Sequence, residues 1–210
     1  MVDQQIQEKG ILAKLLENGI KILLKKECSH IGKLKINIYA SSIQIIKGII
    51  EKIHIISEEI NYKDLLFDHI ELEANKVKLN LKISNKELKF ENDPRIKFKI
   101  SLSESSIKKI LLSRKWEWIG NIISKEIFNQ DPIENIQIKN GQLLIKSSTK
   151  EKAINEVEIF DVESENGKIY LRSNSYNKSI NIPIEDKIYV ENLTIQNKLI
   201  TVFASSSISF

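Results

Sequence analysis

The side chains able to do covalent or metal chemistry are few and poorly spaced. The chain of 210 residues has three histidines (His30, His54 and His69) and one cysteine, Cys28. Cys28 stands two residues before His30, a separation that on an unbroken helix or strand builds no thiolate–imidazole dyad; an ordinary helix-end pair accounts for it. In "DHIE" (68–71), His69 and Glu71 share one face of a strand. That suffices for a weak surface metal site or, more commonly, a cross-strand hydrogen bond, and no Pro-Cys-x-x-Cys follows to complete a zinc centre. Serine is abundant, yet no Gly-x-Ser-x-Gly elbow occurs. The seven glycines form neither Gly-x-Gly-x-x-Gly nor a phosphate-loop ending. Glu58 and Glu59 are neighbours, so in a strand they point to opposite faces, whereas a two-carboxylate hydrolase needs both in one cleft. The expectation is a protein that is not an enzyme, with no catalytic residues, no metal and no cofactor.

Binding chemistry is better represented. "RIKFKISLSESSIKKILLSRKWEWIG" starts at Arg95 with apolar residues at every second position, Ile96, Phe98, Ile100 and Leu102. It changes to a helical pattern and ends with Arg114 and Lys115 before Trp116 and Trp118. Indole rings favour a membrane–water boundary, and neighbouring cations meet lipid phosphate. The alternative is one ring packed where helix meets strand and the other at the surface. Arg114, Lys115, Trp116 and Trp118 are the candidate membrane or headgroup contacts.

The composition is that of a folded protein, 41% hydrophobic and 29% charged. The net charge of +4 and pI near 8.9 are too mild for a dedicated nucleic-acid binder and favour an anionic membrane surface only slightly. Codon bias toward isoleucine, lysine and asparagine would produce many of these lysines without a designed basic patch. No helix-turn-helix or RNA-binding signature appears, so no nucleic acid is expected. One cysteine permits no internal disulfide. The opening "MVDQQIQEKG" has no apolar leader, and no run approaches the ~18 apolar residues that span a bilayer. The expected location is cytoplasmic, with peripheral contact at a membrane.

The elements that must position these residues follow from periodicity. Residues 5–27 read as a helix, with Leu12, Leu15, Leu16, Ile20, Leu23 and Leu24 at spacings of three and four. Such a stripe suits either a helix lying on a membrane or one packed on a sheet. From 33 to 102 the period is two, as in "KLKINIY" and "NKVKLNLKIS", where Val77, Leu79, Leu81 and Ile83 alternate with polar residues. Clean alternation implies antiparallel strands with one wet face. Ser103 is a helix N-cap, with Ser106 three residues on and Glu104 in the first turn. Ile107, Ile110 and Leu111 share a face of that helix, and a second helix covers 117–128. The helical segment is 103–128 and the second strand set 132–210. Asn140-Gly141 and Asn166-Gly167 are hairpin turns. Residues 67–84, 133–148 and 190–206 share a strand, Asn-turn, strand cadence.

The expected fold is α+β, one domain over 1–210: a strongly curved antiparallel β-sheet of about ten to twelve strands wrapped around an N-terminal helix and one or two central helices. So large a sheet offers more apolar face than the helices cover, and an open apolar face is a ligand groove or contact site.

These residues resemble the LmeA-like phospholipid-binding proteins. Residues 33–112 resemble that family's short strand, its glycine (here Gly48) before a Φ-x-x-Φ-x-Φ strand, and a second such strand; Tyr62 to Leu72 match its tyrosine–leucine segment. "ISLSESSIKKIL" is similar to its strand-to-helix step, and "IPIEDKIYVENLTIQNKLITVFASSSI" to its closing hairpin. The resemblance implies a curved sheet around helices and an apolar cavity for acyl chains; it carries no catalytic residues. Without the secretory signal found on mycobacterial-type members, the inner or photosynthetic membrane's cytoplasmic face is the implied surface. The resulting reading is non-enzymatic binding of phospholipid or a similar amphiphile in an apolar groove. The groove residues would be Val77, Leu79, Leu81, Ile96, Phe98, Ile100, Ile107, Ile110 and Leu111, with phospholipid or a membrane surface as partner. A scaffold or protein-interaction module with a filled core is the alternative. A lipid hydrolase would need an exposed Ser–His pair.

Overall fold

The computed structural model describes residues 10–82, 87–91, 93–148 and 156–207. Among them, in chain order, are α1 (Ile11–Glu27), β1 (Cys28–Ile31), β2 (Leu34–Tyr39), α2 (Ser42–Ile46), β3 (Ile49–Tyr62), β4 (Leu65–Lys82), β5 (Glu87–Phe90) and β6 (Arg95–Ser103). Then come α3 (Glu104–Leu112), α4 (Glu117–Ile127), β7 (Ile133–Lys139), β8 (Gln142–Ser147), β9 (Glu156–Glu165), β10 (Lys168–Ser173), β11 (Ser179–Ile182), β12 (Ile188–Gln196) and β13 (Leu199–Ser207). The fold is α+β and its strand pairs are antiparallel.

The strands form two sheets where one was expected. Eight strands follow the path β1-β3-β4-β6-β13-β12, with β2 beside β3 and β5 beside β4; five follow β11-β10-β9-β8-β7. Neither path closes into a barrel. Cross-strand register explains the inner face of the larger sheet. Ile70, Ile100 and Val202 form one row across β4, β6 and β13; Leu72, Phe98 and Ala204 form the next; Ala74, Ile96 and Ser206 the third. Two covers lie on this face. At the β2–β3 end, Leu12, Ala13, Leu16, Ile20 and Leu24 of α1 pack with Ile36, Ile38, Ile45, Ile53 and Ile55. At the β13–β12 end, Val190, Ile200, Val202 and Ala204 pack with Ile136, Ile138, Ile145, Phe160 and Leu171 of the smaller sheet and with Ile123 and Ile127 of α4. The apolar surface that exceeds what helices alone cover is therefore largely met by a second sheet.

Several local expectations hold. Ser103 caps α3, accepting from the Ser106 amide at 3.3 Å. Asn140 and Gly141, and Asn166 and Gly167, all have positive φ and turn their hairpins. The helix expected from residue 5 runs from Ile11; residues 5–9 lie outside the described residues. The stripe also splits, because Leu15 and Leu23 face solvent.

Residues 67–82 lie in one strand and are not a hairpin; residues 83 and 84 lie outside the described residues. β4 runs through Asn75, which pairs with Lys52 of β3, and only Lys76 has a left-handed φ, of 53°. A two-residue turn of the favoured kind needs two consecutive positive φ angles. Lys63 and Asp64 supply them, at 50° and 67°, and join β3 to β4. α2 was unexpected, although Ser41 and Gln44 form a reciprocal capping box at its start.

Gly48 turns α2 into β3 with φ of +70°, and its carbonyl accepts from the Leu79 amide at 2.7 Å. A Cβ there would stand 1.9 Å from the Leu79 carbonyl oxygen, so backbone would have to move. Gly19, mid-way along α1, has nothing within 4 Å of such a Cβ. In urea unfolding, Gly48→Ala should lose about 2–4 kcal/mol or fail to fold. Gly19→Ala should gain about 0.5–1 kcal/mol. Equal effects would show that the close approach at Gly48 does not constrain the fold.

Candidate functional site

The nine proposed groove residues do not form one cluster. Val77 is fully buried and Leu79 buried, and both pack with Ile45, Ile50 and Ala13 beneath α1 and α2. Ile96 packs at the edge of that same core, while Phe98, Ile107 and Leu111 belong to the other. Ile110 is also buried. The side chain of Leu81 lies outside the described residues. Ile96, Phe98 and Ile100 do come together: they alternate along β6, on the inner face and only half buried. Leu72, opposite Phe98, and Ile53 and Ile55 on β3 are half buried as well. Ile53, Ile55 and Ile96 pack against the α1 core and Phe98 against the other, with Leu72 and Ile100 beside them on the same sheet face.

Arg114, Lys115, Trp116 and Trp118 sit where α3 ends and α4 begins. The Trp116 and Trp118 ring centroids are 6.3 Å apart, with planes tilted by 39°. Trp116 is half buried, and its indole N–H donates to the Lys63 carbonyl at 2.8 Å. Its polar handle therefore belongs to the fold and ties the α3–α4 junction to the tip of the β3–β4 hairpin. Trp118 is 38% exposed and Leu112 59% exposed, and Arg114 and Lys115 are open to solvent. This surface joins an aromatic ring, an aliphatic side chain and two cations. Sequence reasoning found the four charged and aromatic members and missed Leu112, which reads as one more core leucine of α3.

Possible catalytic groups have other partners. Cys28 and His30 both lie in β1, and burial, with the Glu27 charge adding to it, raises the Cys28 thiol above its ordinary value. A raised thiol is a poor nucleophile at neutral pH. His54, not His69, bonds Glu71, at 2.7 Å across β3 and β4, and Glu58 lies opposite His69. Lys52 pairs with Glu73 beside them. That bond, with Asn75 donating too, holds the Glu73 carboxyl below its ordinary value. Among the described residues no group of three or more His, Cys, Asp or Glu side chains is placed to hold a metal ion. Glu158 is buried on β9 and accepts from the Ser173 hydroxyl at 2.6 Å and the Ser175 amide at 3.0 Å, which shapes the β10–β11 turn. No helix among the described residues is long and apolar enough to cross a membrane.

No family model, no curated protein and no solved structure matches this chain. The likeness to LmeA-like proteins rests on the quoted sequence motifs alone.

The different duties of the two indoles are measurable. Trp116→Phe should cost about 1–2 kcal/mol in urea unfolding, since it strips a partner from the Lys63 carbonyl, whereas Trp118→Phe should be near neutral. Acrylamide should quench Trp118, read in the Trp116→Phe variant, more strongly than Trp116, read in the Trp118→Phe variant. Equal quenching would mean that Trp116 is not held at the hairpin tip.

Proposed function

We propose that this protein is a non-enzymatic amphiphile-binding module of LmeA-like type that takes a phospholipid acyl chain and touches a membrane peripherally. The observation that carries the reading is that Ile53, Ile55, Leu72, Ile96, Phe98 and Ile100 share one sheet face and are only half buried where the two cores meet. These side chains are aliphatic or aromatic, which suits a hydrocarbon tail and offers nothing to a polar ligand. Val77, Leu79, Ile110 and Leu111 are buried in the protein's own packing, so the half-buried positions are the proposed ligand contacts. The tail contacts come from the sheet face, and Trp118, Leu112, Arg114 and Lys115 give a contact for the bilayer boundary and its phosphates.

The second reading, a scaffold with a filled core, draws support from the same buried residues. Val77 has no exposed surface, and its neighbours are side chains of this chain.

Native mass spectrometry of the purified chain, with organic extraction of what it carries, separates the two. The amphiphile reading expects a stoichiometric phospholipid or fatty acid, lost in the double variant Ile96→Ser, Ile100→Ser while circular dichroism stays unchanged. A clean unliganded mass, with no uptake of a fluorescent-tailed phospholipid, would sink that reading and leave the scaffold.

A further inference from the structure

We propose that the outward face of α1 is a second membrane contact, an interfacial helix that docks on an anionic lipid surface. The inference rests on the phospholipid reading and names where and on what lipid charge the chain would dock. α1 has two apolar stripes, and packing uses only one. Leu12, Ala13, Leu16, Ile20 and Leu24 face the core. Ile11, Leu15 and Ile22 recur at intervals of four and seven residues on the opposite side and are 78%, 60% and 68% exposed. A helix that only packs on a sheet has no use for a second aliphatic stripe; polar residues are the ordinary outer face.

Charge identifies the occupant. Lys14, Lys21 and Lys25 recur at seven and four residues on the stripe beside Ile11, Leu15 and Ile22, and Lys26 flanks it on the other side; all four are exposed. The helix has two acids. Glu17 is turned inward, accepting from the Ile38 amide at 3.1 Å, and Glu27 is the last residue. The outward arc thus has aliphatic residues flanked by cations and no carboxylate before its end. That is the composition of a helix whose apolar face sinks to the headgroup boundary while lysines meet lipid phosphate. A second copy of the chain would bring the same lysines against these, which disfavours self-association.

Other exposed apolar residues and the tryptophan junction lie near the two ends of the helix. At the N-terminal end, Gly10 lies against Ser42 of α2, where a Cβ would stand 2.8 Å from the hydroxyl. α2 exposes Ile43 and Ile46 by 67% and 72%. At the other end, Cys28 pairs with Tyr62, next to the Lys63 carbonyl that holds Trp116. α1 therefore runs from one exposed apolar patch to the hairpin tip that supports the tryptophan pair.

The test is cosedimentation with mixed phosphatidylglycerol–phosphatidylcholine vesicles and with pure phosphatidylcholine vesicles, at low and raised salt. Four proteins are compared: wild type; an apolar triple variant (Ile11→Gln, Leu15→Gln, Ile22→Gln); a charge triple variant (Lys14→Gln, Lys21→Gln, Lys25→Gln); and Trp118→Ala with Arg114→Gln and Lys115→Gln. The substituted α1 positions face solvent, so circular dichroism should be unchanged. Wild type should prefer anionic vesicles and release them as salt rises. The charge triple variant should bind on the order of a hundredfold more weakly, since each lysine at such a surface is worth on the order of fivefold, and the apolar triple variant at least about tenfold more weakly, since it removes the side chains that enter the headgroup boundary. Wild-type-like binding by both α1 variants, with loss in the tryptophan variant, would overturn the α1 proposal and keep peripheral membrane contact. Loss in the α1 variants alone would keep α1 and remove the tryptophan cluster. A wild type that ignores both vesicles would overturn both and hand the face to another occupant, such as an acidic protein. A wild-type dimer in sedimentation velocity, dissolved by the apolar triple variant, would assign the face to a second copy instead.

Discussion

The architecture depends on a polar joint at the step from β6 to α3. The Ser103 amide donates to Asp68 of β4 at 2.6 Å, and its hydroxyl donates to the same carboxylate at 3.0 Å. One residue on, Glu104 accepts from the Ile138 amide of β7 at 2.6 Å. Two carboxylates thus hold the start of α3 to the central strand of one sheet and the edge strand of the other. Hydrogen bonds to charged acceptors are worth about 1.5–3 kcal/mol each, against about 1 for neutral ones. The joint fixes where the helical layer begins and how the smaller sheet lies over β13 and β12.

The same device recurs at the other cover. β2 is an edge strand, and an edge strand presents amide groups that need partners once a helix shields them from water. Glu17 of α1 meets the Ile38 amide much as Glu104 of α3 meets Ile138. In each case a helix is clamped to an edge strand by one carboxylate turned inward. The arrangement closes edges that would otherwise pair with other chains, and on α1 it removes an acid from the outer surface. Structural need and surface charge are coupled there: the glutamate that satisfies the edge strand is the one missing from the lysine-bearing face.

How much was legible in the sequence follows from which signals are local. Asn140-Gly141 and Asn166-Gly167 were readable because those residues tolerate the φ angles their turns demand. Ser103 was readable as a cap because its hydroxyl acts within one helical turn. The β3–β4 turn was not, because Lys63 and Asp64 adopt left-handed angles only under the constraint of two long paired strands. The mistaken hairpin at Asn75 is the converse: good turn chemistry overridden by pairing with β3. The second sheet was missed for a related reason. Alternation reveals that a strand has a buried face but not what buries it, so 133–182 looked like more of one sheet.

Candidate groove residues fared according to the same limit. An apolar position on a strand is equally good evidence for a core side chain and for a ligand contact, and only the opposing layer decides. Val77 and Phe98 have the same sequence signature. Val77 lies where β4 runs beneath α2 and is sealed; Phe98 lies where the first cover has ended and the second is beginning. The α1 stripe illustrates the reverse. Leu12 and Leu15 both belong to an apolar periodicity that satisfies a packed helix or an interfacial one, and the structure divides the stripe between them. A helix that holds its sheet with Leu12, Leu16, Ile20 and Leu24 still has Ile11, Leu15 and Ile22 to spend on a surface. Because both stripes are read from a single stretch of 17 residues, the two readings of this helix were never exclusive.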